Sequence, residues 1–450
     1  MKLNLKLRDF AEGAGGRIVR GDPGETVYSF VTDTRKLAPG GFFWALKGAS
    51  FDGGIFLPES LKAGARGWIA SEEALARQKE LPDVVVAVRD TSEALLMLAG
   101  YHRSRFDIPV AGVTGSNGKS TTKEMIRSIF SVRGQTCFNA GNLNNQFGLP
   151  LSMLKLCPED KYAIFEMGAS HRGDIKTLAE RVRPQTGIIT NIAPSHLEFF
   201  GSLEGVYETK TELIDYISDG GTLVYNADDA MLSGLGKKDL RVDKMSFGQS
   251  READVRASVG LGLCLSFKDE LVQVNLPFAG AHNYMNAAAA AACAITFGFT
   301  MPEIKYGLEH YKAPKMRMEM RRVGRADIIL DAYNSNPQSV NAALNDMEKR
   351  AGKHYFVLGS MKELGTFAEK YHRELGERLA GMPHEKVFFA GEEMKYAAEA
   401  FRKAGGGEAV YGQTPEDIFD EVRSLIKSEE GVFLIKASRS LKFERVLEGL

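Results

Sequence analysis

The chain has 450 residues, of which 44% are hydrophobic and 26% charged, and its formal net charge is −1. This length allows two to four domains with sizeable cores. Because positive and negative charges balance, no overall basic field exists that would attract nucleic acid or an anionic membrane.

The cysteines and the apolar runs limit the cellular compartments in which this protein is expected. The chain has four scattered cysteines without a C-x-x-C pair, which argues against a disulfide framework or structural zinc and fits a reducing cytosol. Residues 1–16 show no signal-peptide pattern, and the small-apolar run at 287–295 is too short to span a bilayer. We therefore predict a cytoplasmic protein without a membrane span.

Residues 1–106 are predicted to form a first, smaller α/β domain. Its expected elements are strands at 27–32, 42–46 and 68–70 and a helix at 92–102. Polar residues follow the first two strands, namely Asp33, Thr34, Arg35 and Lys47. An arginine and a lysine among small residues could hold a phosphorylated ligand, but turn chemistry with solvated charges explains them at least as well.

A glycine-rich turn opens the second unit, residues 107–312. A buried strand is expected at 108–113 and a helix at 119–130, with the pattern G-x-x-G-x-x-G-K-S between them. Such a turn presents backbone N–H groups and the positive end of a helix dipole to an anion. Lys119 adds a charge for the outer phosphates, and Ser120 adds a hydroxyl suited to Mg²⁺. The turn therefore predicts a nucleotide triphosphate site, although Val113 replaces the first glycine of the strict pattern.

Strands and helices alternate after this turn, which predicts a mostly parallel, doubly wound sheet. The expected elements are strands at 162–165, 186–190 and 222–225 and helices at 174–181 and 203–217. Glu166 and Asn191 each follow a strand, and His196 lies just beyond. Ligands of such sheets bind at the carboxyl ends of the strands. Alone, Glu166 is a surface charge and His196 a loop histidine, but together beside a phosphate loop they favour Mg²⁺ ligation.

Two asparagine-rich segments leave two interpretations open. Residues 142–148 contain Asn142 and Asn145, and residues 280–286 precede an alanine-rich helix and contain His282, Asn283 and Asn286. Such residues cap helices as readily as they bind ligands. The alanines themselves indicate close packing of a helix on a sheet.

The third unit, residues 313–450, again alternates strands and helices. The expected elements are strands at 327–330, 355–358, 386–390 and 432–435 and helices at 339–348, 367–379 and 393–403. This pattern predicts a second parallel sheet of the dinucleotide-binding type. However, residues 331–337 replace the G-x-G-x-x-G turn, so we interpret this unit as a substrate-binding lobe.

Together these motifs resemble the Mur ligase family over nearly the whole chain, and within it the ligases that add D-alanyl-D-alanine. The most specific segments are residues 333–337 and 358–365. The resemblance implies three domains: an N-terminal α/β domain that binds the UDP substrate, a central P-loop ATPase sheet, and a C-terminal Rossmann-like sheet that binds the amino acid or dipeptide. It implies an ATP-dependent amide ligase that joins D-alanyl-D-alanine to UDP-N-acetylmuramoyl-tripeptide through an acyl phosphate, in cytoplasmic peptidoglycan synthesis.

The resemblance also implies roles for individual residues. Those that meet ATP would be Gly115, Ser116, Asn117, Gly118, Lys119, Ser120, Thr121, His282, Asn283, Asn286, Arg317 and Asp331. Those that hold two Mg²⁺ ions would be Ser120, Glu166, His196 and, as a carbamate, Lys210. Those that bind the other substrates would be Asp33, Thr34, Arg35, Lys47, Asn142, Asn145, Tyr333, Asn334 and Asn336. Those that act in catalysis would be Lys119, His196, Lys210 and Arg317.

Three residues depart from the family pattern, and two other functions remain open. Leu330, Ser360 and Ala437 replace an acidic residue, an aspartate and a glycine, and all three belong to the lobe that takes the incoming amine. The alternatives are another amide ligase of the superfamily, of the third-amino-acid-adding or folylpolyglutamate synthase type, and a P-loop ATPase module without ligase chemistry. We predict a monomer. The sequence does not distinguish lysine from diaminopimelate in the tripeptide.

Overall fold

The computed structural model describes residues 3–48, 50–259, 262–276 and 280–450. Within these ranges the strands form one two-stranded sheet and three larger sheets of five, nine and six strands. The predicted α/β class is confirmed, since helices cover the faces of parallel-rich sheets. No helix in these ranges has the length and apolar character that a membrane crossing needs.

The N-terminal part of the chain forms the five-stranded sheet. Its strand order is β2-β7-β6-β5-β4, parallel except for β2, while β1 and β3 form a separate antiparallel pair. The strands are β1 (Leu5–Lys6), β2 (Arg17–Arg20), β3 (Thr26–Val27), β4 (Phe30–Val31), β5 (Phe42–Trp44), β6 (Gly67–Ser71) and β7 (Val84–Val88). The helices are α1 (Leu7–Gly13), α2 (Leu57–Lys62), α3 (Glu72–Ala76) and α4 (Thr91–Ser104). The single strand expected at 27–32 is wrong, because β3 pairs with β1 whereas β4 pairs with β5.

The central nine-stranded sheet holds the glycine-rich turn. Its order is β16-β15-β14-β13-β12-β11-β8-β10-β9, so the chain leaves β8 towards both edges. The strands are β8 (Val110–Thr114), β9 (Thr136–Phe138), β10 (Tyr162–Glu166), β11 (Thr186–Ile189), β12 (Thr222–Asn226), β13 (Asp243–Gly248), β14 (Val255–Val259), β15 (Leu263–Phe267) and β16 (Glu270–Val274). Strands β8 to β14 run parallel, as predicted for this sheet, although β9, β13 and β14 were not among the predicted strands. Strands β15 and β16 add an unpredicted antiparallel hairpin at one edge. The glycine-rich turn therefore lies where the strand order changes direction, which is where such sheets bind ligands.

Helices cover both faces of the central sheet. They are α5 (Lys119–Phe130), α6 (Gly148–Met153), α7 (Asp174–Val182), α8 (Leu197–Phe200), α9 (Leu203–Thr211), α10 (Ala281–Thr296) and α11 (Met301–Glu309). The helix expected at 203–217 ends at Thr211 and continues as a 3-10 helix over Glu212–Tyr216. The alanines 287–292 of α10 are fully buried, which lets α10 pack closely on α5 and the sheet.

The C-terminal part forms the six-stranded sheet. Its order is β17-β18-β22-β19-β20-β21, parallel except for the antiparallel edge strand β17, so it is Rossmann-like as predicted. The strands are β17 (Glu319–Val323), β18 (Ala326–Asp331), β19 (His354–Gly359), β20 (Lys386–Ala390), β21 (Ala409–Gly412) and β22 (Gly431–Lys436). The helices are α12 (Pro337–Met347), α13 (Ala368–Ala380), α14 (Met394–Lys403) and α15 (Glu416–Ser428).

The hydrophobic core is divided unequally among the three parts. One buried cluster joins Leu95 and Leu98 of α4 to Leu149 and Leu178 of the central part, so the first two sheets share apolar packing. The C-terminal sheet has its own clusters on its two faces. The domain boundaries at residues 106 and 312 stay predictions.

Candidate active site

The glycine-rich turn, residues 115–118, packs closely against its neighbours. Gly115 and Gly118 have φ values of 141° and 80°, which L side chains rarely adopt. A Cβ on Gly115 would overlap Thr190 Oγ1, and one on Gly118 would overlap Asn286 Oδ1. Both positions therefore require glycine for space as well as for backbone conformation.

Residues at the end of β11 hold the turn in place. Asn117 N donates a hydrogen bond to Asn191 Oδ1 (3.0 Å), and Ser116 N donates to Asn191 O (3.0 Å). Thr190 Oγ1 donates to Asn117 O (2.6 Å). Asn191, predicted at this sheet edge, thus fixes the conformation of the turn.

Lys119 begins α5 and folds back over the turn. Its Nζ donates to Gly115 O (2.7 Å) and Ser116 O (3.0 Å). Burial lowers the pKa of Lys119 to about 8, with Glu166 opposing and Arg317 adding to this effect. Its ammonium group is thus held at the turn, at the position expected of a phosphate-binding lysine.

A cavity of about 330 Å³ lies between the turn and the C-terminal sheet. This volume suits a small ligand. The structure brings most of the predicted ATP residues into its lining: Ser116, Asn117, Gly118, Lys119, Thr121, His282, Asn283, Asn286, Arg317 and Asp331. Gly115 and Ser120 belong to the same turn and helix start. The cavity thus brings together predicted residues from segments more than 200 residues apart, and their role in ATP binding stays a prediction.

Some lining residues were not predicted. Asn226 ends β12, Asp228 follows it, and Lys436 ends β22. Lys436 is buried and its Nζ donates to Asp331 Oδ2 (2.5 Å) and Asn334 O (3.1 Å). The rule that ligands meet the carboxyl ends of parallel strands would have identified Asn226 and Lys436.

The C-terminal sheet reaches the turn through two residues that the sequence singled out. Arg317 Nη2 donates to Ser120 Oγ (3.0 Å), and its guanidinium lies 4.1 Å from the centre of the Tyr333 ring. Asn336 caps α12 by accepting from Ser339 N (2.9 Å) and donates through Nδ2 to Asn117 Oδ1 (2.8 Å). Asn336, predicted to bind substrate, therefore joins the turn to the C-terminal sheet.

Glu166 ends β10 and is 1% exposed. Its Oε1 accepts from Asn144 Nδ2 (2.8 Å), while Asn139 bonds the backbone N–H and C=O of Glu166. Its Oε2 lies 4.0 Å from the buried Lys123 Nζ, and no described residue donates a hydrogen bond to it. A buried carboxylate oxygen without a donor is costly, so this oxygen fits a divalent cation. The sequence interpretation missed Asn139 and Lys123, whose types carry no local signal, and it singled out the segment of Asn144 (residues 142–148) without naming Asn144 itself.

His196 and Lys210 lie on the segment that follows β11. His196 Nδ1 is 2.7 Å from Glu363 Oε2 of the C-terminal part, and this contact holds the pKa of Glu363 below its usual value. Lys210, on α9, is 1% exposed, and its Nζ lies 5.4 Å from the centre of the Phe200 ring. Burial, followed by the charge of Lys119, lowers the pKa of Lys210 to about 7.

Within the described ranges, no three His, Cys, Asp or Glu side chains cluster as a metal site. A cation beside Glu166 or His196 would therefore need other ligands as well. Mg²⁺ meets this condition, because it usually takes one or two protein carboxylates and completes its shell with waters and substrate phosphates.

The predicted residues of the N-terminal sheet lie outside the cavity lining. Asp33 caps a 3-10 helix over Thr34–Lys36 and pairs with the exposed Arg35 (2.8 Å), and Lys47 Nζ lies 3.6 Å from Glu73 Oε2. These contacts match the alternative of turn chemistry with solvated charges. Their predicted substrate role stays a prediction.

The predicted residues of the loop before α6 also lie outside the cavity lining. Asn142 and Asn145 are exposed, and Asn145 Oδ1 accepts from Gly148 N (2.9 Å) at the start of α6. Asn145 Oδ1 also accepts from Phe147 N (3.1 Å), so its side chain stabilises the turn that leads into α6, close to the capping alternative that the sequence left open. Asn144, between them, makes the contact with Glu166.

Comparisons with known proteins agree with this arrangement. Residues 113–294 match the Mur ligase middle domain, and residues 316–439 match the Mur ligase, glutamate ligase domain. The UDP-N-acetylmuramoyl-tripeptide--D-alanyl-D-alanine ligase of Escherichia coli (strain K12) is 34% identical over 437 residues, which cover 94% of each chain.

Solved structures resemble the chain over almost its whole length. The crystal structure of MurF from Acinetobacter baumannii has a TM-score of 0.90 at 30% identity and covers 98% of this chain and 97% of that one. MurF from Thermotoga maritima in complex with ADP has a TM-score of 0.82 at 29% identity and covers 94% and 96%. The chain therefore belongs to the Mur ligase family, within which its relatives are the MurF ligases.

Proposed function

We propose that this chain is an ATP-dependent carbon–nitrogen ligase that joins D-alanyl-D-alanine to UDP-N-acetylmuramoyl-tripeptide in peptidoglycan precursor synthesis. The observation that carries the proposal is the cavity in which the phosphate turn, the start of α10 and the C-terminal Arg317 and Asp331 meet. We propose that the enzyme acts in the cytoplasm, where ATP and both proposed substrates would be available. We also propose that it is a monomer.

The reaction overcomes the low electrophilicity of a carboxylate. The terminal carboxylate of the tripeptide forms a bond to the γ-phosphorus of ATP, the bond from that phosphorus to the β–γ bridging oxygen breaks, and ADP leaves. The amine of D-alanyl-D-alanine then attacks the acyl carbon, and the tetrahedral intermediate expels phosphate as the nitrogen loses a proton. Positioning and charge neutralisation supply most of the acceleration of such phosphoryl transfers.

Two cationic side chains would neutralise the phosphates. Lys119 already binds the carbonyl groups of the turn (2.7 and 3.0 Å), and its ammonium can exchange these for phosphate oxygens. Arg317 reaches Ser120 from the C-terminal sheet (3.0 Å), so it would act on the phosphates only while that sheet is docked. Catalysis by Lys119 and Arg317 would thus depend on both sheets.

The buried polar groups near the turn fit two Mg²⁺ ions. Ser120 and Glu166 would hold one, and His196 with a carbamylated Lys210 would hold the other. Bound Mg²⁺ neutralises phosphate charge and orients the reacting groups. Support for the first position comes from Glu166 Oε2, which is buried and accepts no hydrogen bond from the described residues.

Lys210 would act as a carbamate. CO₂ adds only to a neutral amine, and the lowered pKa of Lys210 keeps a large share of its amine neutral near pH 7. Carbamylation converts a positive group into a negative one that can hold a cation. Without it, a buried ammonium would repel the metal.

The three parts of the chain would divide the substrates. ATP would occupy the cavity with the adenine side near His282, Asn283 and Asn286. The UDP substrate would bind the N-terminal domain, residues 1–106, through Asp33, Thr34, Arg35 and Lys47, and its peptide would approach Asn142 and Asn145. The dipeptide would bind the C-terminal domain, residues 313–450, near Tyr333, Asn334 and Asn336, while residues 107–312 carry ATP.

A ligation assay tests this function. Purified protein receives ATP, Mg²⁺, D-alanyl-D-alanine and UDP-N-acetylmuramoyl-tripeptide with either lysine or diaminopimelate, and product and phosphate are both measured. We expect phosphate release that requires both co-substrates and matches product. Phosphate release independent of the amine would indicate an ATPase module instead, and ligation only with a free amino acid or a folate would indicate another amide ligase.

A further inference from the structure

A short contact joins the central and C-terminal sheets away from the ATP cavity. His196 follows β11 of the central sheet, and Glu363 follows β19 of the C-terminal sheet. His196 Nδ1 lies 2.7 Å from Glu363 Oε2, an ion-pair contact whose geometry falls short of a hydrogen bond. Glu198 N donates a hydrogen bond to Glu363 O (3.3 Å). A side-chain contact and a main-chain contact thus meet at one point.

The backbone at this point is strained on both sides. His196 has φ = 50° and Glu363 has φ = 64°, a region that residues other than glycine seldom occupy. A Cβ on Gly365 would lie 3.0 Å from Glu198 Cα, so the two backbones approach closely. Such strain persists only where the surrounding structure enforces it, and it clusters at functional positions.

We propose that Glu363 is a positioning residue that orients the imidazole of His196 for a divalent cation. The proposal rests on the role of His196 as a metal ligand in the proposed function. A carboxylate beside Nδ1 favours the tautomer that carries its proton there, which leaves the lone pair of Nε2 for the cation. A small rotation of the ring would let Nδ1–H donate to this carboxylate, and a carboxylate that accepts from a ligating histidine makes the ring a better ligand.

The two partners belong to different sheets, and this has a thermodynamic consequence. If docking of the C-terminal sheet strengthens cation binding at His196, then cation binding strengthens docking by the same factor. Glu363 would thereby link the metal on the central sheet to the lobe that carries the incoming amine.

A merely structural ion pair is the competing explanation. The Glu363 side chain is 48% exposed, and an exposed pair contributes little to stability. Stability measurements would therefore not separate the two roles. Cation affinity measured at high salt does, because salt screens the plain charge attraction of an exposed carboxylate but leaves the orientation of the imidazole in place.

Manganese titrations provide the test. Mn²⁺ is added to the full chain with a non-hydrolysable ATP analogue, and free Mn²⁺ is followed by electron paramagnetic resonance. We expect His196→Ala to abolish one class of bound Mn²⁺ and Glu363→Gln to weaken that same class by roughly 10-fold or more. The matched control is Glu348→Gln, because Glu348 is a 45% exposed, ion-paired glutamate of the same C-terminal part.

Two further measurements isolate the coupling. The double variant His196→Ala/Glu363→Gln should bind Mn²⁺ no more weakly than His196→Ala, since the two substitutions remove the same interaction. Hydrogen exchange at residues 196–200 reports docking, because Glu198 N donates to the backbone O of Glu363 only while the two sheets are together. Mn²⁺ should therefore protect these residues in the wild type and protect them less in Glu363→Gln.

The outcomes are distinct. If Glu363→Gln binds Mn²⁺ like the wild type while His196→Ala loses a class, the positioning role is refuted and the proposed metal site stands. If His196→Ala retains both classes, the metal role of His196 fails, and this inference fails with it. An Mn²⁺ titration that leaves exchange at residues 196–200 unchanged in the wild type refutes the coupling.

Discussion

Gly115→Ala examines how tightly the phosphate turn fits its surroundings. The φ of 141° at Gly115 lies beyond the left-handed helical region and would cost an alanine about 1–3 kcal/mol. The new Cβ would also overlap Thr190 Oγ1 and lie 3.1 Å from Thr190 N and 3.2 Å from Asn191 N, and overpacking of this kind costs about 1–3 kcal/mol.

The overlap has a second effect on the turn. The new Cβ forces Thr190 Oγ1 away from its hydrogen bond to Asn117 O. Losing this bond costs only about 1 kcal/mol, because Asn117 O still accepts from Asn191 Nδ2 (3.0 Å). We therefore expect Gly115→Ala to lower the free energy of unfolding by about 3–7 kcal/mol and to weaken ATP binding, because the turn's N–H groups shift.

The assay compares Gly115→Ala with the same substitution at a glycine whose φ is also positive but whose added Cβ would overlap no other atom. Gly220 has φ = 71°, and a Cβ added there would have no neighbouring atom within 4 Å, so Gly220→Ala should lose only about 1–2 kcal/mol. Urea unfolding followed by circular dichroism gives both values, and calorimetry gives ATP affinity. Equal losses in the two variants would refute the argument from overlap. So would a Gly115→Ala/Thr190→Ala double variant as unstable as the sum of its single changes.

Three further predictions concern Lys119 and Lys210. Lys119→Ala should lower ligation by orders of magnitude with the fold retained, because it removes the lysine of the phosphate turn; steady-state kinetics and circular dichroism measure both. Lys210→Ala should lose ligation and regain part of it with acetate, which can occupy the place of the carbamate, whereas Lys210→Arg should not be rescued. In CO₂-free buffer, the free energy of unfolding should rise by roughly 3–4 kcal/mol between about pH 7 and about pH 9, because Lys210 and Lys119 have folded pKa values of about 7 and about 8, below their unfolded values, so the unfolded chain binds more protons in this window.

Each of these predictions has a contradicting result. Near-normal turnover of Lys119→Ala would remove the turn from catalysis. Full activity of Lys210→Ala without acetate, or wild-type activity of Lys210→Arg, would exclude the carbamate. Lys210→Met is the control for the pH series, since it should reduce the rise to the share of Lys119, roughly 1 kcal/mol, and an undiminished rise in this variant would assign it to other groups.

The sequence by itself was enough to predict which chemical groups stand at the ends of individual strands. The turn before Lys119, the carboxylate of Glu166 and the alternation of strands and helices are local patterns, because glycine φ values, strand length and helix periodicity each depend on neighbouring residues. The same locality explains why β15 and β16 were missed, since short strands with mixed exposure carry weak periodicity.

Only the tertiary structure decided which distant groups meet. The contacts of Asn336 with Asn117, Arg317 with Ser120 and Glu363 with His196 each join segments more than 160 residues apart. Such pairs depend on how whole sheets dock, and no local pattern specifies that docking. For the same reason the sequence could name Glu166 as a ligand but could not show that one of its oxygens lies buried without a donor among the described residues, which is the feature that makes it suited to a cation.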